Sequence, residues 1–160
     1  MPKKLRLNSD YDKDFTLFGI VSHQRDYRLI WSINEKMQLH LVKMEDLKIF
    51  QDKKNEYNTF SLYYYDEPNT FKSYFFISNM SEKGPLFAEY RQTNYFLLIK
   101  GNVSKTLIDE ITNNLFTNEY VLKAHLIPIS TIKNIDNFLS DMELDMMEMR
   151  KKKRTLDLLN

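Results

Sequence analysis

Residues 86–101, LFAEYRQTNYFLLIKG, contain the segment that decides the fold. Five apolar residues follow one another from Tyr95 to Ile99, and Lys100 and Gly101 close the run. An unbroken apolar run of this length, with no alternation of polar residues, predicts a strand that is buried on both faces. We therefore expect this strand to lie inside a sheet and not at its edge.

Two aromatic segments before this strand predict an antiparallel hairpin. They are residues 59–65 (TFSLYYY) and 71–77 (FKSYFFI), and the turn residues DEPNT at 66–70 join them. Tyrosine and phenylalanine favour strands because their rings pack across a pleated surface. Residues 14–22 predict a first strand of the sheet, and residues 119–129 predict a last one.

The region between the first helix and the hairpin has a weaker pattern. Leu39 and Leu41 alternate as in a short strand, and residues 47–50 are compatible with another. Residues 51–58 are polar, with DKKNE at 52–56, and they predict a surface loop.

Two further segments predict helices that pack on the sheet. In residues 24–38 the apolar side chains recur at three- and four-residue spacing. We expect Tyr27 and Trp31 to be largely buried there, with Arg28 facing water. Ser104 is a candidate N-cap for the second helix, because its hydroxyl can accept a hydrogen bond from a free backbone N–H.

The last predicted helix, residues 131–154, carries a heptad seam. Its apolar residues are spaced 3, 4, 3, 4 and 3: Ile132, Ile135, Leu139, Met142, Met146 and Met149. This spacing is typical of a helix that lies in a groove or pairs with another helix. A helix rises about 1.5 Å per residue, so this one would span roughly 35 Å, more than a small sheet covers.

The distal half of that helix is therefore a candidate protein-binding surface. Methionine suits surfaces that adapt to a partner, and the candidate residues are Met142, Met146, Met147 and Met149. The alternative is that the helix bends or stops near Glu143 and that the segment beyond it frays.

Together these segments predict a single α+β domain over residues 1–160. It has an antiparallel or mixed sheet of about five strands, helices mainly on one face, and a long C-terminal helix. Residues 1–10 form a polar lead-in, and residues 155–160 form a tail. The strand–helix–strand order in residues 95–129 favours a right-handed crossover that pairs its two strands in parallel.

The composition limits the cell compartments in which we expect this protein and the classes of partner that it can bind. The chain has 23 basic and 22 acidic residues, so no overall field attracts nucleic acid or an anionic membrane. It has no cysteine, which excludes disulfides, thiolate zinc sites and thiol nucleophiles and fits a reducing cytoplasm. The first 14 residues lack the pattern of a signal peptide, and no apolar run approaches the ~20 residues of a membrane span. We expect a cytoplasmic protein.

No pattern for catalysis, a cofactor or a metal ion stands out. Residues 10–14 begin like a calcium loop, but Phe15 and Val21 occupy the positions where that loop needs glycine and glutamate. The three histidines lack the spacing of metal ligands: His23, His40 and His125. We therefore expect a protein with no catalytic residues, no cofactor and no metal. A hydrolase or transferase with dispersed carboxylates is a third-ranked alternative.

Two binding functions are left. The first is a non-enzymatic adaptor that acts through protein–protein contacts or self-association of the C-terminal helix. The second is RNA binding by exposed tyrosines together with the one basic cluster, Arg150, Lys151, Lys152, Lys153 and Arg154. Lysine and arginine would contact phosphates, and aromatic rings would stack on bases. The basic cluster also suits the C-terminal end of a helix electrostatically.

Several stretches together resemble the IPExxxVDY family, a Bacteroidetes protein family of unassigned activity. They are residues 14–20 (DFTLFGI), 23–29 (HQRDYRL), 31–34 (WSIN) and 87–95 (FAEYRQTNY). In the last of them Glu89 and Tyr95 match the signature, Ala88 replaces its proline, and Thr93-Asn94 replace its Val-Asp pair. Asn94 thus stands at the signature aspartate position.

The resemblance covers about residues 11–101, with a looser likeness beyond them. It implies a small cytoplasmic protein. Because members of the family are encoded beside ribonuclease III and pyruvate kinase, it also makes a ribonuclease or double-stranded RNA a partner worth testing.

Overall fold

The computed structural model describes residues 14–51 and 53–159, so the predicted lead-in at residues 1–10 lies outside the described residues. The strands of its main sheet are β1 Phe15–Val21, β2 Val42–Lys43, β5 Leu62–Glu67, β6 Lys72–Ser78, β9 Tyr95–Lys100 and β10 Lys123–Ile127. Two further pairs of strands are β3 Leu47–Gln51 with β4 Glu56–Phe60, and β7 Met80–Ser81 with β8 Gly84–Pro85. The helices are α1 Asp26–Met37, α2 Lys105–Phe116 and α3 Ile135–Leu159.

Strand β9 lies inside the sheet, as its apolar run predicted. The strand order is β10-β1-β9-β6-β5-β2, and every neighbouring pair is antiparallel. Within β9, Phe96 and Leu98 point to one face, and Leu97 and Ile99 point to the other. All four side chains are buried, so both faces of the sheet have to be covered.

Different elements cover the two faces. Helices α1 and α2 pack on the face that carries Leu97 and Ile99. Helix α3 and the β3–β4 hairpin pack on the face that carries Phe96 and Leu98. The predicted α+β class with a long C-terminal helix is confirmed. Two of the three helices share one face, and the third closes the opposite face.

The expected parallel pairing of the strands before and after α2 is wrong. Strands β9 and β10 do point the same way, but β1 lies between them and pairs antiparallel with both. Strand β1 comes from the start of the described chain, so the local strand–helix–strand order did not reveal it. Strand β10 is also shorter than predicted, because Val121 N–H turns back to the carbonyl of Asn118.

The two hairpins differ in how well the sequence predicted them. The aromatic hairpin is confirmed: β5 and β6 pair from Leu62 opposite Ile77 to Glu67 opposite Lys72. The predicted loop at residues 51–58 is largely wrong, because β3 and β4 extend into it and pair as far as Gln51 opposite Glu56. Exposed side chains alternate there with buried ones, such as that of Asn58. The loop prediction did not consider this alternation.

The buried side of α1 agrees only in part with the prediction. Tyr27 and Trp31 are 61% and 62% exposed, while Leu29, Ile30 and Ile33 are buried. The sequence contains both apolar stripes, and tertiary contacts choose between them. Asp26 at the first turn accepts a hydrogen bond from the Ser61 hydroxyl (2.7 Å), which joins α1 to the residue before β5. Arg28 is exposed, as predicted.

Substitution of Trp31 by alanine should therefore cost little stability. We expect Trp31→Ala to lower the free energy of unfolding by less than about 1 kcal/mol, because most of the ring already contacts water. Leu29→Ala on the same helix is the control and should cost about 2–5 kcal/mol. Urea unfolding of the two variants measures the difference, and equal losses would show that Trp31 is a core residue.

A second prediction concerns Gly101, which closes β9. Its φ of 122° lies in a region that favours glycine, and an added Cβ would lie 2.7 Å from the Phe71 carbonyl oxygen. Gly84 has a similar φ of 117°, but the nearest atom to its Cβ position is Lys54 Nζ at 3.4 Å. We expect Gly101→Ala to destabilise by more than about 1 kcal/mol and by more than Gly84→Ala does. Thermal unfolding of both variants tests this ranking, which a larger loss for Gly84→Ala would contradict.

Candidate functional site along the C-terminal helix

Helix α3 begins later and extends further than the sequence predicted. Residues 129–131 form a 3-10 turn, in which the Thr131 hydroxyl donates to the Pro128 carbonyl (2.6 Å). Asn134 then adopts a left-handed conformation with φ 57°, so the α-helix begins only at Ile135. At the other end it continues to Leu159, through most of the tail predicted at residues 155–160.

The methionines proposed as an exposed surface belong mainly to the core. Met142, Met146 and Met149 are buried, and only Met147 is exposed, which contradicts the predicted patch for three of the four residues. The reason is the β3–β4 hairpin, which extends the cover beyond the main sheet. It is joined to the helix by a hydrogen bond from Lys48 N–H to Asp145 Oδ2 (3.0 Å). Because the sequence predicted a loop for part of that hairpin, this cover was missed.

Beyond Met149 the helix continues without burial, and we call residues 150–159 the terminal helix segment. Leu156, Leu158 and Leu159 are 60%, 88% and 78% exposed. The basic cluster at residues 150–154 is exposed in the same segment, but its predicted position at the C-terminal end of the helix is wrong, because the helix continues to Leu159. The segment thus combines apolar and cationic side chains on a helix that rises about 15 Å past the core.

Arg150 anchors the base of this segment. Its Nη2 donates to the Tyr64 hydroxyl (2.7 Å), and its guanidinium carbon lies 5.7 Å from the centre of the Tyr64 ring. Further along, Lys152 Nζ lies 4.0 Å from Glu45 Oε2, a distance at which an exposed pair contributes little. The cations from Lys151 onward therefore face solvent on a fixed helix.

One open cleft, of about 480 Å³, separates α3 from the β3–β4 hairpin, and we call it the acidic cleft. Its lining residues are Lys48, Phe50, Tyr57, Thr59, Asp141, Leu144, Asp145 and Glu148. The carboxylates of Asp141, Asp145 and Glu148 outnumber the one ammonium group, that of Lys48. The rings of Phe50 and Tyr57 meet edge to face at 5.2 Å, and both are exposed, as is Leu144. The cleft thus offers negative charge beside an apolar floor.

A second open cleft, of about 600 Å³, lies on the other side of α3, against β5, β6 and β9. Its polar side chains join the helix to the sheet and one strand of the sheet to the next. Lys100 Nζ lies 2.7 Å from Glu143 Oε1, and the Ser73 hydroxyl donates to Asp66 Oδ1 (2.9 Å). Because these pairs hold elements together, the second cleft serves the fold, and the acidic cleft is the better candidate site.

The residues at the positions that resemble the IPExxxVDY signature are structural supports. Glu89 Oε2 accepts from Lys133 N–H (2.7 Å), ahead of α3. Asn94 Oδ1 accepts from Ser22 N–H (2.9 Å). The Tyr95 hydroxyl donates to the Gln24 carbonyl (2.7 Å), just before α1. Each side chain ties the segment before β9 to a distant part of the chain.

The tyrosines of the aromatic hairpin offer little surface for stacking on bases. Tyr63 and Tyr74 are buried, and burial raises the pKa of each hydroxyl to about 12. Tyr64 and Tyr65 are half-buried and pack against the rings of Phe75 and Tyr74. The tyrosines of the two hairpin strands are therefore packing residues.

Two more titratable groups have shifted pKa values, and neither lines a cleft. Burial raises the pKa of Tyr95, and burial followed by the charge of Lys123 lowers the pKa of His125. Within the described residues, no three His, Cys, Asp or Glu side chains are grouped as metal ligands. In the same part of the chain no helix is both long and apolar enough to span a bilayer.

The buried and exposed sides of α3 can be compared directly by substitution of two adjacent methionines. We expect Met146→Ala to lower the free energy of unfolding by about 2–5 kcal/mol, because it leaves a cavity in the core. Met147→Ala, the adjacent control, should stay within about 0.5 kcal/mol of the parent. Guanidinium unfolding provides the measurement. Similar effects of the two substitutions would contradict the described burial.

Comparison with known proteins adds no relatives: no family model matches this sequence, and no curated protein has significant similarity to it. The resemblance to the IPExxxVDY family stays a prediction that rests on the quoted segments.

Proposed function

We propose that this chain is a cytoplasmic, non-enzymatic adaptor that binds protein partners through the terminal helix segment and the adjoining acidic cleft. One observation carries the proposal: α3 continues past its last core residue, Met149, with three leucines exposed. The absence of cysteine supports the cytoplasmic assignment.

The helical state of the segment favours a binding role. A helix this short is marginal in water by itself, and here it depends on the anchored turns that precede it. Because the segment is already helical, a partner gains contacts without paying for its folding. Burial of one exposed leucine side chain contributes about 1.5–3 kcal/mol, so two or three supply a useful part of a moderate affinity.

The arrangement of side chains indicates the kind of partner. Leu156 and Leu159 are three residues apart and therefore lie on one side of the helix. The flexible lysines and arginines before them keep their charged ends in water while their stems extend the apolar surface. Such a helix fits a groove with an apolar floor and an acidic rim, the common mode of helix-in-groove recognition.

RNA, alone or with a ribonuclease, is the second candidate partner. The observation in its favour is the exposed basic cluster, whose cations from Lys151 to Arg154 face solvent. RNA binding lacks support from the aromatic hairpin β5–β6, where Tyr63 and Tyr74 are buried. A phosphate-binding role would make the affinity fall steeply with ionic strength, whereas leucine contacts would not.

Three variants separate these functions in a capture experiment from cytoplasmic extract, with and without nuclease. The first is a chain that ends at Arg150; the second replaces Leu156, Leu158 and Leu159 by alanine; the third replaces Lys151, Lys152 and Lys153 by glutamine. The changed side chains among residues 151–159 are exposed, so we expect thermal stability within a few degrees of the parent. The truncated and leucine variants should lose the protein partner, and the parent should keep it after nuclease treatment.

The opposite pattern would overturn the proposal. If the leucine variant keeps its partner while the glutamine variant and nuclease treatment abolish it, the segment binds RNA. If the chain that ends at Arg150 keeps every partner, the terminal helix segment is not an interaction surface.

A further inference from the structure

We propose that one partner of this surface is a second copy of the chain, with the terminal helix segment of each copy lying in the acidic cleft of the other. The inference rests on the proposed function, because it uses the same helix and cleft. It adds the identity of the partner, the relative direction of the two helices and the residues that meet.

The distribution of charge along α3 supports this arrangement. The carboxylates of the acidic cleft, Asp141, Asp145 and Glu148, precede the basic cluster at residues 150–154 on the same helix. Two such helices side by side in the same direction place like charges together. When they run in opposite directions about a two-fold axis, Glu148 of each copy can lie beside Lys152 of the other, and both contacts form at once.

The apolar residues meet in the same register as the charges. If Glu148 of one copy faces Lys152 of the other, the two helices proceed in opposite directions from that pair. One turn on, Leu144 of the first copy then faces Leu156 of the second. Leu144 and Leu156 are both 60% exposed, so their contact would bury apolar surface that is now in water.

The cleft is open and has a wall on each side against which a helix can lie. The rings of Phe50 and Tyr57 form the wall opposite α3 and are themselves exposed. The terminal helix segment rises about 15 Å, which exceeds the roughly 10 Å between the first and last carboxylates along α3. It can therefore contact the whole length of the cleft. Lys48 lies on the hairpin side and is the one cation among the lining residues.

A charge-swap experiment tests the inference with the full chain. Glu148→Lys and Lys152→Glu change exposed side chains, and unfolding curves serve as the folding control. By sedimentation velocity we expect the parent to form dimers in the micromolar range, and less at high salt. Each variant alone should dimerise at least ~10-fold more weakly. An equal mixture of the two should form heterodimers nearly as well as the parent, because both contacts then join opposite charges.

The absence of cysteine in the native chain allows the register to be tested as well. A mixture of Leu144→Cys and Leu156→Cys chains should form a disulfide-linked heterodimer under mild oxidation, since the two sulfurs face each other. Leu158→Cys is the control for the second chain, because in this register it faces the buried side of the helix at Met142. It should cross-link with Leu144→Cys more slowly.

Three results would overturn the inference: a parent that stays monomeric at ~100 µM, dimers that neither charge variant weakens, or a mixture that does not recover dimerisation. A monomeric parent whose leucine variant still loses a different protein partner leaves the proposed function standing and removes only the second copy. Failure of the proposed function itself is recognised separately, when truncation at Arg150 abolishes no interaction.

Discussion

The double-sided burial of β9 is the constraint on which the rest of this structure depends. A strand that is apolar on both faces needs neighbours on both sides and a cover on each face. Strands β1 and β6 supply the neighbours, and α1 with α2 covers one face. On the other face the cover consists of α3 and the β3–β4 hairpin. The first half of α3 is therefore needed for the fold, and whatever it does for binding has to use the remainder.

That division explains why one helix carries two different apolar patterns. As far as Met149 the apolar side chains follow the seam that faces the core. Past that point Arg150 still contacts Tyr64 of the sheet, but the leucines face water beside a dense run of cations. A continuous helix transmits the rigidity of the packed half to the exposed half. The terminal helix segment therefore projects from the core in a direction that the packed half of α3 determines.

Features with a local cause could be predicted from the sequence. The apolar run of β9, the turn of the aromatic hairpin and the Ser104 cap, which accepts from Leu107 N–H at 3.1 Å, each depend on neighbouring residues. Features decided by distant segments could not. The buried side of α1 depends on the sheet face that it covers, and the burial of Met142 and Met146 depends on the hairpin. The basic cluster of the site was visible in the sequence. The acidic cleft was not, because Tyr57 lies within the segment that was predicted as a loop and Phe50 lies directly before it.

The position of β1 has a consequence for how the chain is made. This strand is synthesised before its two hydrogen-bonding partners, β9 and β10, because β9 begins at Tyr95 and β1 ends at Val21. Until then Leu17, Phe18 and Ile20 have no sheet to join, and the edges of β1 are open to strands of other chains. The native topology is rich in contacts between distant parts of the sequence, which slows folding. The sheet can thus be completed only after β9 and β10 have been synthesised, and until then the nascent chain depends on protection from aggregation.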